Sequence, residues 1–176
     1  VNGTSANLND EQQSHVVQLS MPAYTQVKFA PYKDEIYTTT NANDIPLMRI
    51  EEMYLILAEA KAMMGDTGGA LNTLNSFVTT YRDPAYNCTV TNTEDICEAV
   101  WMQRRIELWG EGHSYFDLMR MKKGVDRRGA GYPTAYVYNI PAGDAALIYP
   151  IPDREMNNNP SLTQNPVATQ PQPVEE

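Results

Sequence analysis

Residues 93–124 constrain the fold most, because two helical patterns follow one another there with only a short glycine-containing break between them. Thr93 is a favourable N-cap, and the acidic residues behind it suit the positive end of a helix dipole. The following apolar residues recur at helical spacing: Ala99, Met102, Ile106 and Trp109. After the break, a second helix is expected to begin near Ser114 and to end in a cationic turn with Gly124 as its C-cap.

A second pair of helices is predicted before this stretch, at residues 47–81. Its first helix, over residues 47–64, is apolar around most of its circumference, which is typical of a helix packed between neighbours. A Gly-Asp turn follows, and residues 70–81 carry an amphipathic pattern. The length of the pair is close to the roughly 34-residue tetratricopeptide period. One such hairpin cannot bury both faces, so we expect it to pack against the pair at residues 93–124.

The remaining segments lack helical periodicity, and they complete the predicted domain organisation. Residues 1–46 are expected to form an irregular N-terminal segment that lies on the helical scaffold. Residues 47–124 are expected to form two packed helical hairpins. Residues 125–166 are expected to form an irregular C-terminal segment, and residues 167–176 a flexible tail. The predicted fold class is therefore mostly α, with tetratricopeptide-like helical hairpins and long irregular loops.

Composition and charge exclude several classes of function. The net charge is -9 and the isoelectric point is about 4.7, which argues against a nucleic-acid partner. No apolar run reaches the roughly 20 residues that span a bilayer, and no signal-peptide pattern opens the sequence. Because Val1 is not an initiator methionine, we expect a mature product or a fragment.

The sequence contains no recognisable metal, cofactor or nucleophile motif. The two histidines, His15 and His113, are far apart and belong to no cluster at metal-ligand spacing. No P-loop, dinucleotide-binding glycine motif or serine elbow occurs. We therefore predict no cofactor and no metal. At the helix junction, His113 is more often a structural hydrogen-bonding residue than an acid–base catalyst.

A dense group of charges in the second helical pair allows two interpretations. Two of its carboxyl groups could flank a glycosidic bond, as in a glycosidase. Alternatively, the group forms an ion-pair network that ties the two helices across the glycine break. We favour the network, because nearby arginines lower carboxyl pKa values and spoil a general acid. The group comprises Arg104, Arg105, Glu107, Glu111, Asp117 and Arg120.

Tyrosine is the most abundant aromatic residue, with 11 tyrosines against 3 phenylalanines and 2 tryptophans. Its flat apolar face and hydroxyl group suit stacking on sugar rings. Tyrosines in the predicted helices are assigned to the core, and those in loops are the candidate ligand-binding residues. These are Tyr24, Tyr32, Tyr37, Tyr86, Tyr132 and Tyr136.

Two cysteines, Cys88 and Cys97, lie on either side of the start of the helix at Thr93. In an oxidising compartment they could close a short loop with a disulfide. Two unpaired thiols are the alternative, and the sequence alone favours neither.

Four ordered motifs between residues 46 and 166 resemble those of the SusD/RagB family. Residues 46–60, PLMRIEEMYLILAEA, resemble the family signature P-L-x-R-x-x-E-x-Y-L-x-x-A-E-A, and Asn75 resembles the position of its L-N-x-x-R motif. Residues 103–120, from QRRIEL to EGHSYFDLMR, resemble E-R-R-x-E-L followed by E-G-x-R-x-x-D-L-x-R. Residues 149–166, which begin YPIP and end QNP, resemble the closing motif of the family.

The resemblance implies a mostly helical, non-catalytic outer-membrane lipoprotein of Bacteroidetes-type bacteria, exposed at the cell surface. It implies an oligosaccharide or other nutrient as ligand and a SusC-like TonB-dependent transporter as partner. The chain would be the C-terminal part of a SusD-like α-α superhelix, and its lipid anchor, its only membrane contact, would precede Val1. A helical-repeat adaptor that binds protein, with no direct sugar binding, is the alternative.

Overall fold

The computed structural model describes residue 29 and residues 47–168 and 171–174. The chain divides into two units, Val1–Met48 and Arg49–Glu176, and the elements named here belong to the second. The predicted irregular segment 1–46 lies outside the described residues apart from residue 29. The helices are α1 (Ile50–Met63), α2 (Thr67–Tyr81), α3 (Thr93–Glu107), α4 (His113–Arg120) and α5 (Asp153–Asn158). The prediction of a mostly α fold is confirmed.

Two very short strands accompany the helices. Strand β1 (Val125–Asp126) pairs antiparallel with β2 (Asn139–Ile140), and Val125 lies opposite Ile140. Single turns of 3-10 helix occur at Thr134–Tyr136 and Ala145–Leu147. Within the described part of the chain, no helix combines the length and the apolarity that crossing a bilayer requires.

Helices α1, α2 and α3 share one hydrophobic core. Phe77 on α2 stacks against Tyr54 on α1, with ring centroids 5.4 Å apart. Each large apolar side chain in such a core stabilises the fold by about 1.5–3 kcal/mol. The buried residues are Leu55, Ala58, Ala62, Ala70, Leu74, Phe77, Val78, Ile96 and Val100.

The caps of α2 and α3 follow from short polar side chains. The Asp66 carboxylate accepts a hydrogen bond from the Gly69 backbone at 2.8 Å and so caps α2. The N-cap of α3 is Asn92, whose side chain accepts from the backbone of Asp95 at 2.8 Å, and not Thr93 as predicted. The Thr93 hydroxyl instead donates to Ala62 O at 3.2 Å, which ties the start of α3 to the end of α1.

The apolar residues that recur along α3 in the sequence do not form its buried face. Met102, Ile106 and Trp109 are exposed, whereas Ile96, Val100 and Arg104 are buried. The helix has apolar residues on two sides, and the buried side is the one that carries an arginine. Charged residues are rarely buried unless they are paired. The spacing of apolar residues alone therefore indicates that the side without the arginine is the buried one.

Helix α1 is also less enclosed than its composition predicted. It runs over Ile50–Met63 and not from residue 47 to residue 64. Its face towards α2 and α3 is buried, but Ile50, Ile56 and Met63 are exposed among the described residues. The expectation of a helix packed on most sides is therefore not met in this part of the chain.

The side-chain amide of Asn75 fixes the loop between α2 and α3. Its Nδ2 donates to Cys88 O at 3.0 Å, and its Oδ1 accepts from Cys88 N at 2.8 Å. An asparagine side chain has the same donor and acceptor arrangement as a peptide group, so this pairing replaces a strand partner. The Asn75 position noted in the sequence is thus a structural one.

Gly124 is required by close packing and not by a helix cap. Helix α4 ends at Arg120, and the left-handed residue after it is Lys122, with φ 51°. A Cβ atom on Gly124 would overlap the carbonyl oxygen of Ile140 and lie 3.0 Å from Ala142 N. The prediction of a C-cap at Gly124 is wrong, because this glycine lets β1 approach β2.

Hydrogen bonds connect parts of the C-terminal segment, which follows residue 124, to one another and to α4. The Tyr115 hydroxyl on α4 donates to Leu147 O at 2.6 Å. The Gln164 side chain accepts from Ile151 N and donates to Ile151 O, each at 2.8 Å. The backbone of Val174 donates to Val137 O at 2.8 Å. These contacts give the irregular segment a defined path without regular secondary structure.

Candidate functional site

Arg104 lies at the centre of a charged cluster between α1, α3 and α4. Its side chain is 5% exposed, and its Nε donates to Asp117 Oδ2 at 2.8 Å. Its Nη2 donates to Glu52 Oε1 at 3.1 Å. Asp117 is equally buried. Because a guanidinium stays protonated and matches a carboxylate in shape, the two buried charges neutralise each other directly.

Arg120 extends this Arg104 cluster from α4 back to α1. Its Nε donates to Asp117 Oδ1 at 2.8 Å, and its Nη2 donates to Glu59 Oε2 at 2.9 Å. A further bond joins Arg120 Nη1 to the other oxygen of Glu59, which is buried. Each oxygen of Asp117 therefore accepts from a different arginine.

A second cluster surrounds Glu107 at the end of α3. Arg82 donates to both of its carboxylate oxygens, from Nε at 2.6 Å and from Nη2 at 2.8 Å. Arg49, the residue before α1, also donates to Glu107 and pairs with Glu111. Bidentate arginine–carboxylate pairs are among the stronger hydrogen bonds in proteins, so this Glu107 cluster joins the ends of α2 and α3 to the start of α1.

The pairing keeps these carboxyl groups ionised. Burial alone would raise the pKa of Asp117, but hydrogen bonds from Arg104 and Arg120 hold it below its usual value. The pKa of Glu107 is lowered against the same effect of burial by Arg82 and Arg49. A general acid works best with a pKa near the operating pH, so neither group suits proton donation to a substrate.

One residue assigned to the network lies elsewhere, and others were missed. Arg105 lies over the indole of Trp101, with its guanidinium carbon 4.9 Å from the ring centroid, and has no carboxylate partner among the described residues. The missed members of the two clusters are Arg49, Glu51, Glu52, Glu59 and Arg82. Three of them, Arg49, Glu52 and Glu59, recur at helical spacing, and that polar stripe was the available signal.

The predicted ligand-binding tyrosines fall into three groups. Tyr24, Tyr32 and Tyr37 lie outside the described residues. Tyr86 is half-buried against the hydrophobic core, and burial raises the pKa of its hydroxyl. This residue serves packing. Tyr132 and Tyr136 are 47% and 56% exposed.

Tyr132 and Tyr136 share a neighbour in Arg127. The Arg127 guanidinium lies 4.9 Å from the centroid of the Tyr132 ring and 5.8 Å from that of Tyr138. Its Nη1 donates to Tyr136 O at 3.4 Å. We call these four residues the tyrosine loop. An exposed aromatic face beside a fixed cation offers a stacking surface and hydrogen-bond donors, which is the combination that sugar rings use.

The structure contains no disulfide between Cys88 and Cys97, and both are half-buried free thiols. Burial raises the pKa of the Cys97 thiol, which makes it a weaker nucleophile. Among the residues that the structure describes, no group of histidine, cysteine, aspartate and glutamate side chains is placed to hold a metal ion.

A groove of about 500 Å³ lies beside the Arg104 cluster. Its exposed apolar lining includes Ile56, Met63 and Phe116. His113 lies at its edge, with Nδ1 3.5 Å from Glu52 Oε1, in the structural role expected of a junction residue. The carboxylates that face the groove are engaged by arginines, so the arrangement holds the helices together and offers no free acid–base pair of the glycosidase kind.

The described part of the chain is a mostly helical scaffold whose buried carboxylates are paired with arginines and whose tyrosine loop is exposed. The chain belongs to the SusD family, whose model matches residues 4–167. This agrees with the resemblance drawn from the four sequence motifs.

Similar proteins support the same assignment. A SusD-like carbohydrate binding protein from Bacteroides vulgatus is 32% identical, with a TM-score of 0.58 over 68% of this chain and 30% of its own. A SusD superfamily protein from the same organism is 29% identical, with a TM-score of 0.57 over 74% of this chain and 31% of its own. The SusD-like protein P38 of Formosa agariphila is 26% identical over 84% of this chain and 28% of its length. The chain thus spans less than a third of these relatives.

Proposed function

We propose that this chain is part of a non-catalytic carbohydrate-binding protein that captures an oligosaccharide for uptake. The observation that carries the proposal is the match to the SusD family over residues 4–167, together with a relative described as carbohydrate binding. The whole protein would act at the surface of the outer membrane with a SusC-like TonB-dependent transporter. A lipid anchor would hold it there.

The tyrosine loop supports sugar binding within the chain itself. Tyr132 and Tyr136 expose about half of their surface, and Arg127 lies against the Tyr132 ring. Stacking on an aromatic ring requires no charged substrate and no catalytic group, so it holds a sugar without transforming it. The carboxylates Asp117 and Glu107 support this proposal, because their arginine partners and lowered pKa values make both groups poor general acids.

Isothermal titration calorimetry of the chain with a panel of neutral and acidic oligosaccharides tests this proposal. Replacing Tyr132 and Tyr136 by alanine is expected to weaken the binding of the best ligand about tenfold or more, since each stacked ring contributes about 1 kcal/mol. Tyr81→Ala is the matched control, because Tyr81 is 54% exposed on a different element, α2. Equal affinity of the double variant and the wild type would exclude the tyrosine loop as the site.

Exposed apolar residues on α3 support the alternative of a helical-repeat adaptor. Met102 and Ile106 are 44% and 64% exposed on one face of the helix. Apolar surface of this kind is typical of contact with another polypeptide. Copurification with a transporter from outer membranes, without measurable sugar binding by the same protein, would favour the adaptor over the carbohydrate-binding protein.

A further inference from the structure

A second groove, of about 350 Å³, lies between α3, α4 and β1. We call it the Arg105 groove. Its polar lining comes from Trp101, Arg105, Ser114 and Asp126, and Gly124 leaves room at its edge. None of the residues of the Arg104 and Glu107 clusters lines it. Its volume falls within the usual range for small-molecule sites, at the lower end, and suits a single sugar ring.

Arg105 presents unused hydrogen-bond donors at this groove. Its guanidinium lies over the Trp101 indole at 4.9 Å, so one face of the group is occupied by the ring. Its N–H groups, which point outward in the guanidinium plane, have no hydrogen-bond or ion-pair partner among the described residues. An arginine stacked on an aromatic ring keeps a fixed orientation, and little conformational entropy is lost when its edge binds a planar anion.

The acidic side chains near the groove are already matched by other cations. Asp126 pairs with Arg128 at 2.6 Å. Lys123, whose Nζ lies 4.5 Å from the centroid of the Trp101 ring, pairs with Glu98. Among the described groups around the groove, Arg105 is therefore a positive charge in excess, although the chain as a whole has a net charge of -9.

Trp101 provides a second unmatched donor. Its indole Nε1 is buried and has no hydrogen-bond partner among the described residues. Buried indole N–H groups are normally paired, so the unmatched Nε1 is an unusual feature of a residue that lines the groove. The exposed hydroxyl of Ser114 is a further polar group that a sugar hydroxyl could meet.

We propose that the Arg105 groove binds the oxyanion of an acidic sugar, the carboxylate of a uronic acid residue in an oligosaccharide. The fork of the guanidinium binds both carboxylate oxygens at once, which a neutral sugar cannot reproduce. That the anion is carried by a sugar rests on the proposed carbohydrate-binding function. The charge and the unmatched donors of the groove stand independently of it.

Calorimetric titration with trigalacturonate and with neutral galactotriose tests the assignment. The chain is expected to bind trigalacturonate at least tenfold more tightly than galactotriose, and Arg105→Gln is expected to remove that difference. Arg154→Gln is the matched control, because Arg154 is an exposed arginine on α5 without an ionic partner among the described residues. It makes the same change in net charge and should leave both affinities unchanged.

Three results would overturn the inference. The groove would be excluded as an anion site if the chain bound the two oligosaccharides with equal affinity. It would also be excluded if Arg105→Gln and Arg154→Gln had the same affinities for them. Neither result would contradict the proposed function. A sulfated galactotriose that binds more tightly than trigalacturonate, and through Arg105, would assign the groove to sulfate esters instead. Failure of every oligosaccharide to bind would instead contradict the proposed function itself.

Discussion

Arg104 and Asp117 are buried between three helices. Each side chain compensates the charge of the other, which would otherwise be unfavourable away from water. The Arg104 guanidinium has one hydrogen bond to Asp117 and one to Glu52, and its Nη1 is buried with no partner among the described residues. Removing one partner of such a pair leaves an uncompensated buried charge, which costs far more than the pair itself contributes.

We predict that Asp117→Asn lowers the free energy of unfolding by about 3–5 kcal/mol. The substitution preserves the shape of the side chain but removes the negative charge shared by Arg104 and Arg120. Urea unfolding followed by circular dichroism measures the loss. Asp126→Asn is the control, since Asp126 pairs with Arg128 at the surface, and its midpoint should match the wild type. Similar midpoints for the two variants would contradict the account.

The same carboxyl groups set the dependence of stability on pH. The pKa values of Asp117 and Glu107 lie below their usual values of 3.8 and 4.5 in the folded chain. A carboxyl group whose pKa is lower in the folded chain than in the unfolded chain stabilises the fold when the pH is above its pKa in the unfolded chain. That stabilisation is lost as the pH falls through its pKa in the folded chain. We predict a urea midpoint that is steady from about pH 7 to 5 and falls below about pH 4.

The urea midpoint of Glu107→Gln, measured over the same range, separates this effect from general acid unfolding. At neutral pH the variant should be less stable than the wild type. It should lose less stability on acidification, because one of the carboxyl groups with a lowered pKa is absent. A midpoint that rises as the pH falls below 4 would contradict the role assigned to these carboxylates.

Individual residues also show how far the sequence could predict the charged clusters. Arg104 and Asp117 were grouped because they lie close together in the sequence, on either side of the glycine break, and the structure pairs them. Arg82 pairs with Glu107 from 25 residues away, and Arg120 pairs with Glu59 from 61 residues away. Those partners depend on how the helices pack, which local spacing does not contain.

Among the structural elements, the β1–β2 hairpin depends most clearly on one position. Gly124 precedes β1, and its backbone lies against residues 140–142. We predict that Gly124→Ala costs about 1–3 kcal/mol, because the added methyl group overlaps backbone atoms that cannot move independently. Thermal unfolding monitored by circular dichroism measures the effect.

Gly68→Ala provides the comparison for that variant. Gly68 lies in the first turn of α2, and a Cβ atom there would meet nothing within 4 Å. Since alanine is the better helix former, this variant should be as stable as the wild type or slightly more stable. Equal destabilisation by the two substitutions would show that the close approach at Gly124 does not matter.

Helix α3 shows why existence of an element is easier to predict than its orientation. The predicted N-cap, Thr93, is one residue away from the observed N-cap, Asn92. The sequence does not decide which face is buried, because Ile96 and Val100 compete with Met102 and Ile106 as apolar positions on opposite sides. The buried arginine decides between them, and its carboxylate partners come from α1 and α4.

For the whole molecule, the motifs were more informative than periodicity. Asn75, Gln164 and Asn165 belong to motifs noted in the sequence, and each bonds to the backbone of a distant segment. The irregular C-terminal segment keeps its path through such contacts and places the tyrosine loop at the surface. Periodicity could not predict that path, since it detects regular helices and strands only.

The proposed function requires that the chain holds an oligosaccharide without transforming it. The most direct measurement combines calorimetric titration with an assay for new reducing ends in the same sample. We predict saturable binding of an oligosaccharide with no reducing ends formed over many hours. Release of reducing ends that Glu111→Gln abolishes would contradict the proposed function, and so would the absence of binding to any oligosaccharide.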